Sequence, residues 1–336
     1  MSHFILEPSA AAIQAAAASL MAGNLVAFPT ETVYGLGADA SNAAAVARIY
    51  SIKGRPVDHP LIVHVASADA LGKWAKDVPE YAIKLARDFW PGPMTLVLKR
   101  SKLVGDFITG GQDTVGVRVP EHPVALALLE AFENLGGKGV AAPSANRFGH
   151  VSPTTAQAVW DELSEHLHAD DQILNGGPCA VGVESTIINC TGAAPQILRP
   201  GAITAAMIET VTALQVMKKS DGLISNSTNK KGEIDSFEQI RVSGSLETHY
   251  APKARVFLCE TPVNGQGFIA HANIQTPEGV IRLASPRSDE EFAQLLYSAL
   301  RQADSLGLAE VVVVQPIGIG IAVAIRDRLA RAANGR

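Results

Sequence analysis

The stretch Lys53-Gly54-Arg55-Pro56 joins a helix-like segment, Ala43 to Ser51, to the apolar run Leu61-Ile62-Val63-His64-Val65. That run is typical of a buried strand. Two cations separated by one residue at a helix-to-strand junction suit oxyanions, because Lys supplies a point charge and Arg a planar fork for phosphate or carboxylate. A single K-x-R is more often part of a solvated loop. The rest of the chain therefore decides whether this junction binds a ligand.

Short apolar runs alternate with helical patterns over about the first 207 residues. The predicted strands are Leu25–Phe28, Leu61–Val65, Thr95–Leu98, Val115–Val119, Val140–Ala142, Ser185–Asn189 and Gln196–Arg199. The predicted helices are Ala10–Met21, Ala43–Ser51, Pro79–Phe89, Pro123–Phe132 and Thr155–Leu167. This mixture predicts an α/β or α+β domain with a large twisted sheet.

The composition changes between Lys218 and Ser245, where polar and small residues predict a linker or mobile loop. A smaller pattern follows His249-Tyr250-Ala251-Pro252, with strands at 255–258, 279–283 and 310–314 and helices at 289–306 and 319–333. Strand and helix in this order indicate a compact parallel α/β unit. We therefore expect a first domain over 1–210, a linker over 211–252 and a second domain over 253–336.

The bulk composition narrows the class of protein. The chain has 336 residues, 47% of them hydrophobic, and a formal net charge of −5. Such a balance argues against a protein that coats nucleic acid, so any RNA contact should be weak or local. Three cysteines without a C-x-x-C spacing fit neither a disulfide framework nor a zinc site, which favours a cytoplasmic setting. The N-terminus does not resemble a signal peptide, and the apolar stretch Val311–Ile325 is too short and too broken by Pro and Gly to span a membrane.

Several other polar residues occupy strand ends or strand interiors. The segment Phe28–Gly37 leaves a strand and enters a predicted loop with two glycines and several hydroxyl groups, which suits either a small polar substrate or an ordinary turn. Ser144-Ala145-Asn146 also follows a strand, and taken alone it is more typical of a turn than of a binding site. Arg118 alternates with valines and either meets solvent or faces a polar cavity, whereas His64 is by default a histidine satisfied in the core.

The motifs together resemble those of YrdC-like proteins, and the whole chain resembles the long form of the threonylcarbamoyl-AMP synthase family. The matching motifs, in order, are Phe28–Gly37, Lys53–Pro56 with Pro60–Val63, Trp90–Thr95, Val117–Pro120, Ala142–Asn146, Glu184–Thr186 and Leu198–Gly201, followed by His249–Pro252. One residue departs from the pattern, because His59 stands where many members carry Asn.

The resemblance implies a YrdC-like twisted mixed sheet with flanking helices and a small C-terminal Rossmann-like parallel α/β domain. It also implies that L-threonine, bicarbonate and ATP react to give L-threonylcarbamoyladenylate and pyrophosphate. The product would feed the N6-threonylcarbamoyladenosine modification of tRNA at position 37, through a downstream tRNA threonylcarbamoyl-transferase machinery. Departure of pyrophosphate calls for Mg²⁺, which we expect to be held by the phosphates, without a dedicated protein cluster.

The resemblance also implies a role for each matching residue. Lys53 and Arg55 are expected to be catalytic and to bind triphosphate and carboxylated threonine. The other residues expected to bind ATP are Thr114, Ser144, Asn146, Arg199 and Tyr250, with Tyr250 closing over the nucleotide from the linker. The residues expected to bind threonine are Thr32, His64, Arg118 and Ser185, with Arg118 pairing the threonine carboxylate.

Two other functions remain compatible with the sequence. One is a carbamoyl-adenylate-handling enzyme of the hydrogenase-maturation type, whose zinc-finger modules three scattered cysteines exclude here. The other is an RNA-binding or ribosome-maturation factor that holds RNA in the basic cleft. The acidic balance and the lack of a basic stripe interleaved with aromatic residues argue against it.

Overall fold

The computed structural model describes residues 4–217, 240–244, 250–259 and 261–335. A sheet of ten strands forms the first part of the chain. Its strands are β1 (Ile5–Leu6), β2 (Val26–Phe28), β3 (Gly35–Asp39), β4 (Ile62–His64), β5 (Met94–Lys99), β6 (Thr114–Arg118), β7 (Val140–Ala141), β8 (Gln172–Leu174), β9 (Thr186–Asn189) and β10 (Gln196–Arg199).

The strand order is β1-β8-β2-β3-β7-β4-β6-β5-β9-β10. Parallel and antiparallel pairs are mixed, since β4 pairs in parallel with β6 whereas β6 and β5 are antiparallel. The register places His64 directly beside Arg118. The predicted mixed sheet is therefore confirmed, and it brings together two polar residues that are 54 positions apart in the chain.

Helices flank this sheet. They are α1 (Ala10–Met21), α2 (Ala43–Lys53), α3 (Leu71–Trp74), α4 (Glu80–Phe89), α5 (Asp106–Thr109), α6 (Pro123–Asn134), α7 (Ala156–Leu163) and α8 (Ala205–Thr212). The long helices agree with the predicted ones to within a few residues at each end. On one face, α1 and α6 bury Leu20 and Leu128 against Val26 and Phe28 of β2. Burial of such side chains is the main stabilisation of the sheet-helix layer.

The helix α2 begins and ends for local reasons that fix the position of Lys53. Asn42 caps its first turn, because the side-chain oxygen accepts the backbone N–H groups of Ala44 and Ala45 at 3.1 Å. Gly54 ends the helix in the left-handed conformation, with φ of 61°. Lys53 is therefore the last helical residue, and the chain turns sharply before Arg55.

A sheet of four parallel strands forms the second part, in the order β11-β14-β12-β13. Its elements are β11 (Arg255–Phe257), β12 (Gly267–Ile269), β13 (Ile281–Ala284), α9 (Asp289–Ser305), β14 (Glu310–Val313) and α10 (Ile321–Ala333). The predicted Rossmann-like parallel unit is confirmed. The predicted domain limits at 210 and 252 stay predictions, and much of the predicted linker, including His249, lies outside the described residues.

Some strands were not predicted. The segment after Phe28 was expected to be a loop, but Gly35 and Gly37 belong to β3. A Cβ atom at Gly37 would lie 2.8 Å from Val140 Cγ1 and 2.9 Å from a ring carbon of Phe28, so glycine serves the close packing of strands here. The strands β1, β8 and β12 were missed because two or three residues carry too little periodicity to be recognised.

The two parts of the chain pack on each other through the surface of α9. Val33, Val151 and Val183 from loops of the first part belong to the same buried cluster as Phe292 and Leu296. The second part is thus in contact with the loops that carry Thr32 and Ser185. Of the helices that the structure describes, none combines the length and apolar character needed to cross a membrane.

Candidate active site

The residues predicted to bind ligands fall into three contact groups around the ends of β4, β6 and β10. One group surrounds Lys53, a second joins Arg55 to Arg199, and a third surrounds Arg118. All four of these cations are buried. Burial of several like charges without equal numbers of carboxylates is costly, which is typical of a site built for anions.

Lys53 is held by the strand-end segment that carries Ser144 and Asn146. Its Nζ donates to the backbone oxygen of Ser144 at 2.6 Å and to the backbone oxygen of Asn146. Burial and the neighbouring Arg55 lower the pKa of Lys53 well below its usual value. The ammonium therefore sits where an additional negative charge, such as a phosphate, would stabilise it.

Asn146 and Ser144 differ in what they offer a ligand. The Asn146 amide nitrogen donates to the backbone oxygens of Arg147 at 2.7 Å and His150 at 2.8 Å. Its buried Oδ1 has no hydrogen-bond donor among the described residues. Ser144 is half-buried and pairs with Gly35 through an isolated backbone bridge. The backbone of the S-x-N segment is thus held in place, and the side-chain oxygen of Asn146 remains available to accept a hydrogen bond from a ligand.

Arg55 and Arg199 meet at Ser243, a residue of the predicted linker. Arg55 Nη2 donates to Ser243 Oγ at 3.1 Å, and Arg199 Nη1 donates to the backbone oxygen of Ser243 at 2.9 Å. Burial and Arg199 both act to lower the pKa of Arg55, which falls to about 10, so the group stays protonated at neutral pH. Two guanidinium groups that share one serine form a basic pair suited to a polyphosphate.

Ser185 lies beneath Arg199. The Arg199 Nε and Nη2 atoms donate to the backbone oxygen of Ser185 at 3.1 and 2.9 Å, and Nη2 also lies 3.1 Å from Ser185 Oγ. The Ser185 hydroxyl is 2.8 Å from the Thr95 hydroxyl. The structure therefore places Ser185 with Arg199, whereas the sequence assigned these residues to different substrates.

Arg118 is paired within the protein. Its Nη2 lies 2.7 Å from Glu31 Oε1 and donates to Thr32 Oγ1 at 2.9 Å. His64 lies beside it, and burial together with the Arg118 charge lowers the pKa of His64 to about 3. The histidine is therefore neutral at physiological pH. The three predicted threonine-binding residues Thr32, His64 and Arg118 are thus neighbours.

The linker strap, residues 240–244, covers one side of this region. Val242 packs against Val97 and Ile187 on the sheet, and the strap leaves a cavity of about 20 Å³ that Thr114 helps to line. That volume suffices for roughly one water molecule. Thr114 and Arg118 start and end the same strand, and Thr114 has no described contact with Arg55 or Arg199.

Tyr250 belongs to the core of the second part of the chain. Its ring stacks on Tyr297 with centroids 5.8 Å apart, and the Arg328 guanidinium lies 5.3 Å from its centroid. The hydroxyl reaches the strap, because a Cβ at Gly244 would lie 2.1 Å from the Tyr250 oxygen and 3.2 Å from Arg199 Nη1. Gly244, with φ of 77°, thus admits both groups.

A buried ion cluster joins the two parts next to Ser185. Glu184 accepts hydrogen bonds from Arg328 Nε at 2.7 Å, the Tyr297 hydroxyl at 2.9 Å and the Ser152 hydroxyl at 2.7 Å. Burial alone would raise the pKa of Glu184, but the charges of Arg328 and Arg199 and the hydrogen bonds from Ser152 and Arg328 together outweigh it, and the pKa falls to about 2. The carboxylate is therefore ionised and holds α9 and α10 against the site.

Sequence reasoning missed Glu31, Ser243 and Glu184. Glu31 and Glu184 stand inside motifs that were recognised, and a carboxylate in a segment that is otherwise buried was the available signal. Ser243 offered none, because its importance comes from the path of the linker. A residue becomes part of a site through its neighbours in space, which a lone serine in a polar stretch does not reveal.

Comparison with known proteins defines the class first. Residues 18–201 match the family model described as "Telomere recombination", which groups the Sua5, YciO and YrdC proteins. Residues 203–334 match the model of the threonylcarbamoyl-AMP synthase C-terminal domain. The chain is therefore a YrdC-like protein of the two-domain form.

Individual relatives identify the family. The chain is 40% identical to the threonylcarbamoyl-AMP synthase of Pyrococcus abyssi, over 96% of this chain and 94% of that protein. It is 39% identical to that of Bacillus subtilis, over 96% and 93%. The crystal structure of P. abyssi Sua5 complexed with L-threonine is similar with a TM-score of 0.84 and 36% identity, covering 99% of this chain and 98% of that one. This chain belongs to the threonylcarbamoyl-AMP synthase family.

Proposed function

We propose that this chain converts L-threonine, bicarbonate and ATP into L-threonylcarbamoyl-AMP and pyrophosphate, for the modification of tRNA at position 37. The observation that carries the proposal is the set of buried cations at the strand ends, in a chain whose relatives are synthases of this product. The relatives support this function and not the RNA-binding alternative. The adenylate would pass in the cytoplasm to a tRNA threonylcarbamoyl-transferase machinery, and any direct contact with tRNA would be weak.

A direct assay tests the proposal. The protein is incubated with ATP, labelled bicarbonate and L-threonine, and both pyrophosphate and a labelled adenylate are measured. We expect both products to appear together and to require threonine. Pyrophosphate release that does not depend on threonine, or no labelled adenylate, would refute the function.

The basic pair Arg55–Arg199 and the adjacent Lys53 would neutralise the phosphates of ATP. The product requires two attacks. The threonine nitrogen, as the free amine, attacks the carbon of bicarbonate with loss of water to give the carbamate, and a carbamate oxygen then attacks the α-phosphorus of ATP as pyrophosphate leaves. Neither step needs a nucleophile from the protein. The chain's contribution is therefore to gather anions and to stabilise the charge that develops as pyrophosphate leaves. Asn146, through its Oδ1, and Thr114 would contact the nucleotide elsewhere.

Mg²⁺ would arrive with ATP, held by the phosphate oxygens. Among the residues that the structure describes, no three His, Cys, Asp or Glu side chains converge on a point that could hold a metal ion. Glu31 and Glu184 are both engaged with arginines. Bound in this way, Mg²⁺ would offset charge on the leaving pyrophosphate.

Threonine would bind where Arg118, Thr32 and His64 meet, with Ser185 bordering both the threonine and the phosphates. Arg118→Lys should weaken threonine binding by about 10-fold to 100-fold, because one ammonium cannot replace a guanidinium that also contacts Glu31 and Thr32. ATP binding should change little. Calorimetric titration of each ligand provides the measurement, and a larger loss for ATP than for threonine would show that the assignments are reversed.

Tyr250 would close over the nucleotide through its hydroxyl, since its ring is committed to packing on Tyr297 and Arg328. Tyr250→Phe keeps that packing and removes only the hydroxyl beside Gly244 and Arg199. We expect the KM for ATP to rise by about 5-fold to 10-fold at an unchanged melting temperature. An unchanged KM would leave Tyr250 as a packing residue of the second domain.

A further inference from the structure

The buried pair Glu31–Arg118 leaves one donor and one acceptor unused. The Glu31 and Arg118 side chains are 6% and 5% exposed. Glu31 Oε1 lies 2.7 Å from Arg118 Nη2, and the two groups form an ion pair. Within the described residues, Glu31 Oε1 accepts no hydrogen bond and Arg118 Nε donates none.

Unused polar atoms at full burial are uncommon and call for an explanation. A buried donor or acceptor without a partner loses its hydration and gains nothing in return. Here the donor belongs to a cation and the acceptor to an anion, and both lie in one ion pair. A ligand that satisfies both must present an anion and a cation a short distance apart, which is the chemistry of an α-amino acid zwitterion.

The carboxylate of Glu31 is fixed in place. Its Oε2 accepts the backbone N–H of Glu121 at 3.1 Å, and its backbone oxygen accepts the N–H of Val181 at 2.7 Å. The other acceptor nearby, Thr32 Oγ1, already contacts Arg118 and Thr30. Glu31 Oε1 is therefore the acceptor that remains available beside Arg118.

Charge balance is a second argument for a ligand that carries both an ammonium group and a carboxylate. Arg118 already has Glu31 as its counter-ion, so a bare carboxylate bound to Arg118 would add a negative charge next to Glu31. His64 is neutral and brings no compensating charge. A ligand that carries its own ammonium group removes the repulsion, because that group faces Glu31 while the carboxylate faces Arg118.

We propose that Glu31 is the subsite for the α-ammonium group of threonine, with Arg118 Nε taking the α-carboxylate. The inference rests on the proposed function for the identity of the amino acid. It adds a specificity determinant to the site, since Glu31 would select amino acids over the corresponding hydroxy acids before any chemistry begins.

The wild-type protein offers the first test, by calorimetry with L-threonine and with 2,3-dihydroxybutanoate of matching stereochemistry, in which a hydroxyl replaces the amine. We expect the hydroxy acid to bind about 100-fold more weakly, from the lost charge-assisted contact and the added repulsion. Affinities within about threefold of each other would overturn the subsite. A protein that binds no threonine and forms no adenylate would instead refute the proposed function.

The second test removes the charge of Glu31 by substitution. Glu31→Gln keeps the shape and can still accept the Glu121 N–H, and the matched control Glu121→Gln removes a nearby exposed carboxylate. In Glu31→Gln we expect threonine binding to weaken by about 10-fold to 100-fold while hydroxy-acid binding stays equal or improves. Glu121→Gln should behave as wild type. An equal loss for both ligands would mean that Glu31 only holds Arg118 in place, and if Glu31→Gln does not fold, the wild-type comparison decides.

Discussion

Removing the ammonium of Lys53 or the guanidinium of Arg55 should lower threonine-dependent pyrophosphate release by about 30-fold to 1000-fold. Each variant would lose a charge-assisted contact to a phosphate or carboxylate, which is equivalent to about 2 to 4 kcal/mol. Both side chains are buried, and Arg55 shares Ser243 with Arg199. The loss should therefore appear mainly in turnover.

The structure also determines how this experiment must be controlled. Lys53 donates to the backbone oxygens of Ser144 and Asn146, so Lys53→Ala removes structural bonds as well as a charge. Lys53→Met fills the same space without the charge and is the better companion to Arg55→Ala. Lys84→Ala, on the exposed face of α4, is a matched control that should keep full activity. Near-wild-type release by both site variants would contradict the assignment.

Breaking the ion cluster between the two parts of the chain should have the second-largest effect, on both stability and ATP binding. Glu184→Ala removes the carboxylate that pairs with Arg328 Nε and leaves Asp327 to pair with the buried guanidinium. Loss of one partner of a buried pair costs about 3 to 5 kcal/mol, and the contact with Asp327 should bring the cost to the lower end of that range. We expect a lower melting temperature together with weaker ATP binding, because Ser185 follows Glu184 in the chain and contacts Arg199, and the Tyr250 ring packs against Arg328.

A double-mutant cycle measures the coupling energy between Glu184 and Arg328. Arg328→Met alone should be as harmful as Glu184→Gln, whereas the two together should be less destabilising than the sum of the single changes. Strict additivity would show that the pair does not hold the domains together.

Because of this ion cluster, we expect the stability of the folded protein to depend on pH in the acid range. The pKa of Glu184 is lowered to about 2 in the folded protein, below the ordinary value of 4.5. Its contribution to stability is therefore fully present above about pH 4.5 and is lost as the pH falls towards 2. Thermal unfolding across this window should show a steeper loss for the wild type than for Glu184→Gln. Equal slopes would exclude Glu184 as the titrating group.

The sequence alone determined the fold class, the two-part organisation and the family. Long helices and apolar strands follow from side-chain periodicity, which is a local property, and the ordered motifs around Lys53, Arg118 and Arg199 pointed to one family. The list of cations at the site was also available from these motifs.

Only the tertiary structure decided how those cations are paired. Glu31 became the partner of Arg118, Ser243 joined Arg55 to Arg199, and Glu184 met Arg328 from the other end of the chain. Each of these contacts joins residues between 44 and 188 positions apart in the chain. Periodicity and motif spacing carry no information on such pairings, because they depend on strand order, on register and on the path of the linker across the sheet.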